Sequence, residues 1–180
     1  GLPTLFTARC RSEGVEARDF SSIRQTMSAA EILSEDVYNA WKRLTGHGPT
    51  EGLGSTEVLH VYISNALDDH RIGAAGARVP GYEIRLETPD GEAAKPGEDG
   101  VMLIRGHSNA PQYWNRPDKT ADTMRGEWLY TGDRFVERDG YYYFQGRADD
   151  LIKVSGQWVI PLEVERCLLE HPDIHECVVL

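Results

Sequence analysis

The sequence predicts a mixed fold: the end of an α/β layer, then a run of short antiparallel strands, then the start of an α+β segment. Three observations predict it. Helix-like and strand-like stretches alternate over residues 1–65. Turn signals then recur through residues 66–146, separated by short β-rich runs. From Gly146 onward a strand, a Ser-Gly turn and a proline-led helix follow in quick succession.

In the first part, Ile23–Ser28 reads as a short buried strand. Ser34-Glu35-Asp36 is an acidic helix start; Val37, Ala40, Trp41 and Leu44 then recur at helical spacing, and Gly46 supplies the stop. The glycine-rich Gly52-Leu53-Gly54-Ser55-Thr56-Glu57 precedes an apolar run from Val58 to Ile63. In the second part, Pro80-Gly81, Pro89-Asp90-Gly91, Pro96-Gly97, Gly126 and Asp139-Gly140 mark turns. Between them Tyr82–Leu86, Val101–Arg105, Trp128–Tyr130 and Tyr141–Phe144 read as strands of a small antiparallel barrel or sandwich. In the third part, Leu151–Val154 is strand-like, Pro161 opens a helix through Glu170, and a last strand begins near Glu176.

Composition narrows the function. Hydrophobic residues make up 40% and charged residues 27%, which suits a globular chain and leaves no membrane span. A net charge of −10 argues against a nucleic-acid partner, which needs clustered Lys and Arg. It leaves room for a nucleotide held by a few basic groups and backbone donors. Three scattered cysteines, Cys10, Cys167 and Cys177, fit reduced thiols and a cytoplasmic setting better than disulfides or a zinc site. The chain opens Gly1-Leu2-Pro3 and closes on strand-like Val178-Val179-Leu180, so both ends read as internal to something longer.

Three segments could carry chemistry. In Gly54-Ser55-Thr56-Glu57, glycine admits a phosphate, hydroxyls donate to it and a carboxylate can hold a divalent cation; a loop leading into a helix cap is the plainer reading. In Tyr130-Thr131-Gly132-Asp133 a carboxylate follows a glycine turn, where it could accept from a ribose diol or simply cap its own backbone. In Gly146-Arg147-Ala148-Asp149-Asp150-Leu151-Ile152-Lys153 a guanidinium could clamp phosphate or ribose, and two solvated acids suit a swivel; an interstrand loop with local ion pairs is the alternative.

Together, the order and spacing of these segments resemble the adenylate-forming superfamily of acyl- and aryl-CoA ligases, adenylation domains and luciferases. Gly146–Glu165, reading Gly-Arg-x-Asp-Asp-x-Ile-Lys-x-x-Gly-x-x-Val-x-Pro-x-Glu-x-Glu, carries most of the resemblance. Gly100–Gly106 and Tyr113–Thr120 match another signature. Gly52–His60 with Ser64-Asn65, and Ser28–Leu33, look like the benzoate–CoA ligase branch, although Ala30 stands where Gly is usual and Leu53 where many members have an aromatic.

The resemblance implies a large domain ending in residues 1–65, a β-barrel subdomain over 66–146, and a hinge with the start of a C-terminal lid over 147–180. It implies ATP, Mg²⁺ and coenzyme A, with a small carboxylate as the activated acid. Thr56 would contact the α-phosphate and Glu57 would bind the metal. Asp133 would hold the ribose with help from Arg147, while Ala30, Glu31, Gly52 and Leu53 would border adenine. Asp149 would be the hinge, Gly156 and Gln157 would lie by the pantetheine path, and His60 would line the acyl pocket. It also implies a lysine-bearing phosphate loop before Gly1 and a catalytic lysine after Leu180, without which these residues should not adenylate at a useful rate. Delivery to a carrier-protein thiol, or a non-catalytic scaffold of the same fold, are the alternatives.

Overall fold

The computed structural model describes residues 1–30, 33–155, 157–171, 173–174 and 177–179. The chain divides into two compact units. Unit 1 contains Gly1–Glu83, Gly106–Pro111 and Asp139–Tyr143; unit 2 contains Ile84–Arg105, Gln112–Arg138 and Phe144–Leu180.

Unit 1 starts with helix α1 (Pro3–Cys10), whose proline stands in the first turn, where its missing N–H costs nothing. Strand β1 (Met27–Ser28) is shorter than the Ile23–Ser28 strand expected, because Ile23 N–H turns back onto Phe20 O (2.9 Å) before the chain extends. Helix α2 (Glu35–Thr45) forms as its signals require. Ser34 Oγ accepts from Val37 N, Glu35 and Asp36 occupy the first turn, and Gly46 closes the helix at φ 86°. Trp41 turns its ring inward from α2 against Phe6 of α1, edge to face at 4.9 Å, and its Nε1 donates to Thr26 Oγ1 (3.0 Å).

Strands β2 (Thr50–Gly54), β3 (Val61–Ser64) and β4 (Gly76–Arg78) complete unit 1 with the first three residues of β9 (Tyr141–Arg147). The order is β1-β2-β3-β4-β9; β1 runs parallel to β2 and the other pairs are antiparallel. Val58, Tyr62 and Ile63 are buried between these elements, each such side chain contributing roughly 1.5–3 kcal/mol of hydrophobic stabilisation.

Unit 2 is built on β5 (Glu83–Glu87), β6 (Asp99–Arg105), β8 (Trp128–Arg138) and the rest of β9. Helix α3 (Pro117–Thr123) leads into the short β7 (Met124–Arg125), which pairs with β8. The strand path is β9-β8-β6-β5, and among the described residues it stays an open ladder. Val101 through Ile104 are all buried, so β6 reads as a continuous apolar run rather than an alternating one. Phe135 packs against Phe144 (5.4 Å). A two-stranded hairpin, β10 (Ile152–Val154) and β11 (Gln157–Val159), precedes helix α4 (Pro161–Leu169). The strand expected near Glu176 is not formed by the described residues 177–179, and Glu176 itself lies outside the described residues.

Candidate nucleotide site

The cluster predicted from the Thr-Gly-Asp and Gly-Arg-x-Asp segments assembles within unit 2. Residues 130–133 do not form the turn expected of them: they lie inside β8, where the ladder to β6 slips. Leu103 faces Tyr130 and Val101 faces Arg134, so Thr131, Gly132 and Asp133 together oppose Met102. This is a bulge, and Gly132 sits in it at φ 77°. Thr131 Oγ1 closes it by donating to Met102 O (2.9 Å) and accepting from Asp133 N (3.0 Å). Ala148 N donates to Gly132 O (2.7 Å), tying the segment after β9 to the bulge.

The bulge re-aims Asp133 toward Arg147. Arg147 Nη1 donates to Asp133 Oδ1 (3.0 Å), while its Nε and Nη2 fork onto the two oxygens of Asp149 (2.8 and 3.2 Å). Oδ2 of Asp133 accepts no hydrogen bond from any described residue. Burial pushes the Asp133 carboxyl above its ordinary value; the Arg147 charge and hydrogen bond oppose that, and Asp149 and Asp150 add to it. Asp149 is held below its ordinary value, chiefly by the Arg147 hydrogen bond, and the same bond raises Arg147. Arg147 and Asp149 are 45% and 68% exposed, so their pair is screened and orients the guanidinium more than it stabilises the fold. The result is a half-buried carboxylate with spare acceptor capacity beside a positive charge, an arrangement suited to a vicinal diol.

Gly146, Arg147 and Asp150 also line an open cleft of about 540 Å³ with Phe144, Ile160 and Leu162. Gln157 lies on β11; Gly156 lies outside the described residues.

The second group lies in unit 1 on the connection from β2 to β3. Instead of a loop, Gly52 and Leu53 belong to β2, and a single 3₁₀ turn at Thr56–Val58 follows. Glycine is needed at 54 because a Cβ there would stand 2.6 Å from the backbone oxygen of His60, whereas a Cβ at 52 would come closest to the movable end of Met27, at 2.1 Å. Buried Val58 anchors the turn, leaving Thr56 exposed and Glu57 half-buried. Glu57 O accepts from Ala110 N (2.6 Å), and Ser55 Oγ is buried without a hydrogen-bond partner among the described residues. Leu59, 78% exposed, takes φ 62° to end the turn. His60 is exposed, with Nδ1 3.0 Å from Val61 O. Ala30 follows β1 at φ 77°, a conformation that costs a side chain about 1 kcal/mol and accounts for glycine being the expected residue there. Glu31 lies outside the described residues.

A family model described as AMP-binding enzyme matches residues 1–114. The chain belongs to the AMP-binding enzyme family. Benzoate–CoA ligase of Thauera aromatica is 41% identical over 182 residues, covering 100% of this chain and 34% of that protein. A crystal structure of an anthranilate CoA ligase in complex with anthranoyl-AMP superposes with a TM-score of 0.86 at 41% identity, covering 100% of this chain and 35% of that one. A benzoate CoA ligase from Burkholderia xenovorans gives 0.83 at 38%, covering 95% and 34%. The chain thus spans about a third of the length of these AMP-binding relatives. Its mixed sheet with few helices matches the adenylate-forming fold, and among the described residues no helix is long and apolar enough to cross a membrane.

Two residues named in those segments take roles the sequence did not assign them: Thr131 closes the bulge, and the Asp150 charge acts on Asp133. Thr131 was legible only as part of a turn, since a bulge is a property of two strands in register. The available signal was a glycine inside an otherwise strand-like run.

Proposed function

We propose that this chain is part of an ATP-dependent aryl-acid–CoA ligase. The observation that carries the reading is Asp133, half-buried with an open oxygen, held by Arg147 at a bulge built for it. Membership of the AMP-binding family gives that carboxylate a nucleotide to hold, and the aryl-CoA ligase relatives supply the acid class. In the first half-reaction the aryl carboxylate attacks the α-phosphate of ATP, forming aryl-AMP and releasing pyrophosphate. In the second, the thiolate of coenzyme A attacks the acyl carbon, forming the thioester and releasing AMP.

In this reading Asp133 accepts from both ribose hydroxyls and Arg147 keeps it oriented, which positions the α-phosphate for in-line attack. Thr56 donates to the α-phosphate. Ala30, Glu31, Gly52 and Leu53 border the base, and His60 lines the aryl pocket. Glu57 supplies a carboxylate oxygen to Mg²⁺, which neutralises phosphate charge when bound. A single half-buried carboxylate, with no cluster of three metal-binding side chains among the described residues, fits Mg²⁺ arriving on ATP rather than in a protein cage. Gly156 and Gln157 lie by the pantetheine path and Asp149 is the pivot. Residues 1–65, 66–146 and 147–180 act as the end of the large domain, its β-barrel subdomain, and the hinge with the start of the lid. A cytoplasmic enzyme acting on small molecules, without nucleic acid, completes the proposal.

The test is pyrophosphate exchange into ATP by the protein of the complete reading frame, with benzoate, hydroxybenzoates and 2-aminobenzoate as acids, followed by thioester formation with coenzyme A. Acid-dependent exchange and a CoA thioester are expected. No exchange with any aryl acid would sink the reading. Exchange with transfer only to a carrier-protein thiol would replace coenzyme A as the acceptor.

A further inference from the structure

Unit 1 buries a carboxylate and an imidazole against each other, at a place the mechanism above does not use. Glu51 lies on β2 immediately before Gly52, and His70 lies between β3 and β4; their side chains are 11% and 7% exposed. His70 Nε2 stands 3.4 Å from Glu51 Oε2, too poorly aligned for a hydrogen bond, and makes none with any other described residue. The other oxygen of Glu51, Oε1, accepts from Leu33 N–H (3.3 Å).

The imidazole is held from behind. Its ring stacks on Tyr38 of α2 at 4.5 Å and 20°. The tyrosine ring fills space that exists only because residue 48 is glycine: a Cβ there would stand 2.0 Å from Tyr38 Cε2. Asn65 fixes the segment carrying His70, donating from Nδ2 to Ala74 O (2.9 Å) and accepting at Oδ1 from Arg71 N (3.0 Å).

A buried acid–base pair is often only structural, and an apolar pair of similar volume can be as stable. The location of this one argues for more. Glu51 precedes Gly52 and Leu53, and Leu33 follows Ala30 and Glu31. Those are the two segments proposed to border the nucleotide base, so one carboxylate ties both borders together. A ring stacked from behind on Tyr38 and standing 3.4 Å from that carboxyl limits where the carboxyl can stand.

We propose that His70, braced by Tyr38, is a positioning residue for nucleotide recognition, acting through Glu51 to set the spacing of the segments that border adenine. The inference rests on the adenylating reading above. It is tested on the protein of the complete reading frame with His70→Phe, which keeps the ring stack but offers nothing to the carboxylate. Loss of the 3.4 Å imidazole contact to the Glu51 carboxyl predicts a rise of about tenfold in KM for ATP and in the Kd of AMP. The kcat of pyrophosphate exchange and KM for the aryl acid should stay within about twofold, and His70→Gln, which returns an N–H, should recover most of the loss. An unchanged KM for ATP, equal rises in both KM values, or Gln no better than Phe would each overturn the proposal. If His70→Phe melts at assay temperature, Tyr38→Leu carries the same expectation and the same refutation. Wild type that neither exchanges nor binds AMP would remove the adenylating reading and this inference with it, whereas a normal wild type with an unaffected His70→Phe removes this inference alone.

Discussion

Asp133 combines two demands that pull its proton affinity in opposite directions. Burial favours the neutral acid, and the neighbouring Arg147 favours the carboxylate; burial wins, so the group titrates above the ordinary range. The sign for stability follows: a raised native value stabilises the fold at pH below the unfolded value, and that contribution is lost as pH rises through the native one. The sign for binding is opposite, because only the carboxylate accepts from both hydroxyls of a ribose. AMP affinity of the complete-reading-frame protein is therefore expected to fall on acidification, with a midpoint above that of an exposed aspartate. Asp133→Asn should weaken binding by about tenfold or more and flatten the pH dependence. Calorimetric titration across the acid range checks this; an Asn variant with the wild-type pH slope would assign the dependence to another group.

At the scale of the element, the bulge in β8 carries the proposed role of Asp133. In a regular strand, residues 131–133 would alternate across the sheet and the carboxylate would follow its register. The slip against Met102 needs a residue at positive φ, and Gly132 supplies it. A Cβ at 132 would also stand 3.0 Å from Arg147 Nη2. Gly132→Ala should thus lower stability by about 1–2 kcal/mol, with the Arg147 guanidinium giving way slightly. Chemical denaturation gives that quantity; an unchanged midpoint would mean that the strand can shed the bulge without cost. The 3₁₀ turn at Thr56–Val58 follows the same logic on a smaller scale. Val58 is driven into the core, which leaves Thr56 exposed and Glu57 half-buried.

Over the whole molecule, the proposed pivot at Asp149 separates the two half-reactions. Proline there fixes φ near −65°, which should leave pyrophosphate exchange within a few-fold of wild type while thioester formation falls by about a hundredfold. Asp149→Ala, which removes the ion pair to Arg147 without locking the backbone, should lower the two steps together, by about the same few-fold factor. Equal losses in the two steps for the proline variant would rule out a swivel at this residue. Much of the molecule was legible beforehand. Helix α2 with its Ser34 cap and Gly46 stop, the buried run of β6, β10 and the proline-led α4 are set by short-range patterning and backbone chemistry that need no distant partner. So were the segments holding Asp133, Arg147 and Asp149, because their residue types and spacing are local. Only the tertiary structure decided that Tyr130–Asp133 is a bulge and not a turn, that β2 runs on through Gly54, and that Glu51 and His70 meet in the core. Each of those depends on which strand lies alongside and what burial does to a charge there. Such facts belong to pairs of segments far apart in the chain, and no single stretch of sequence contains them.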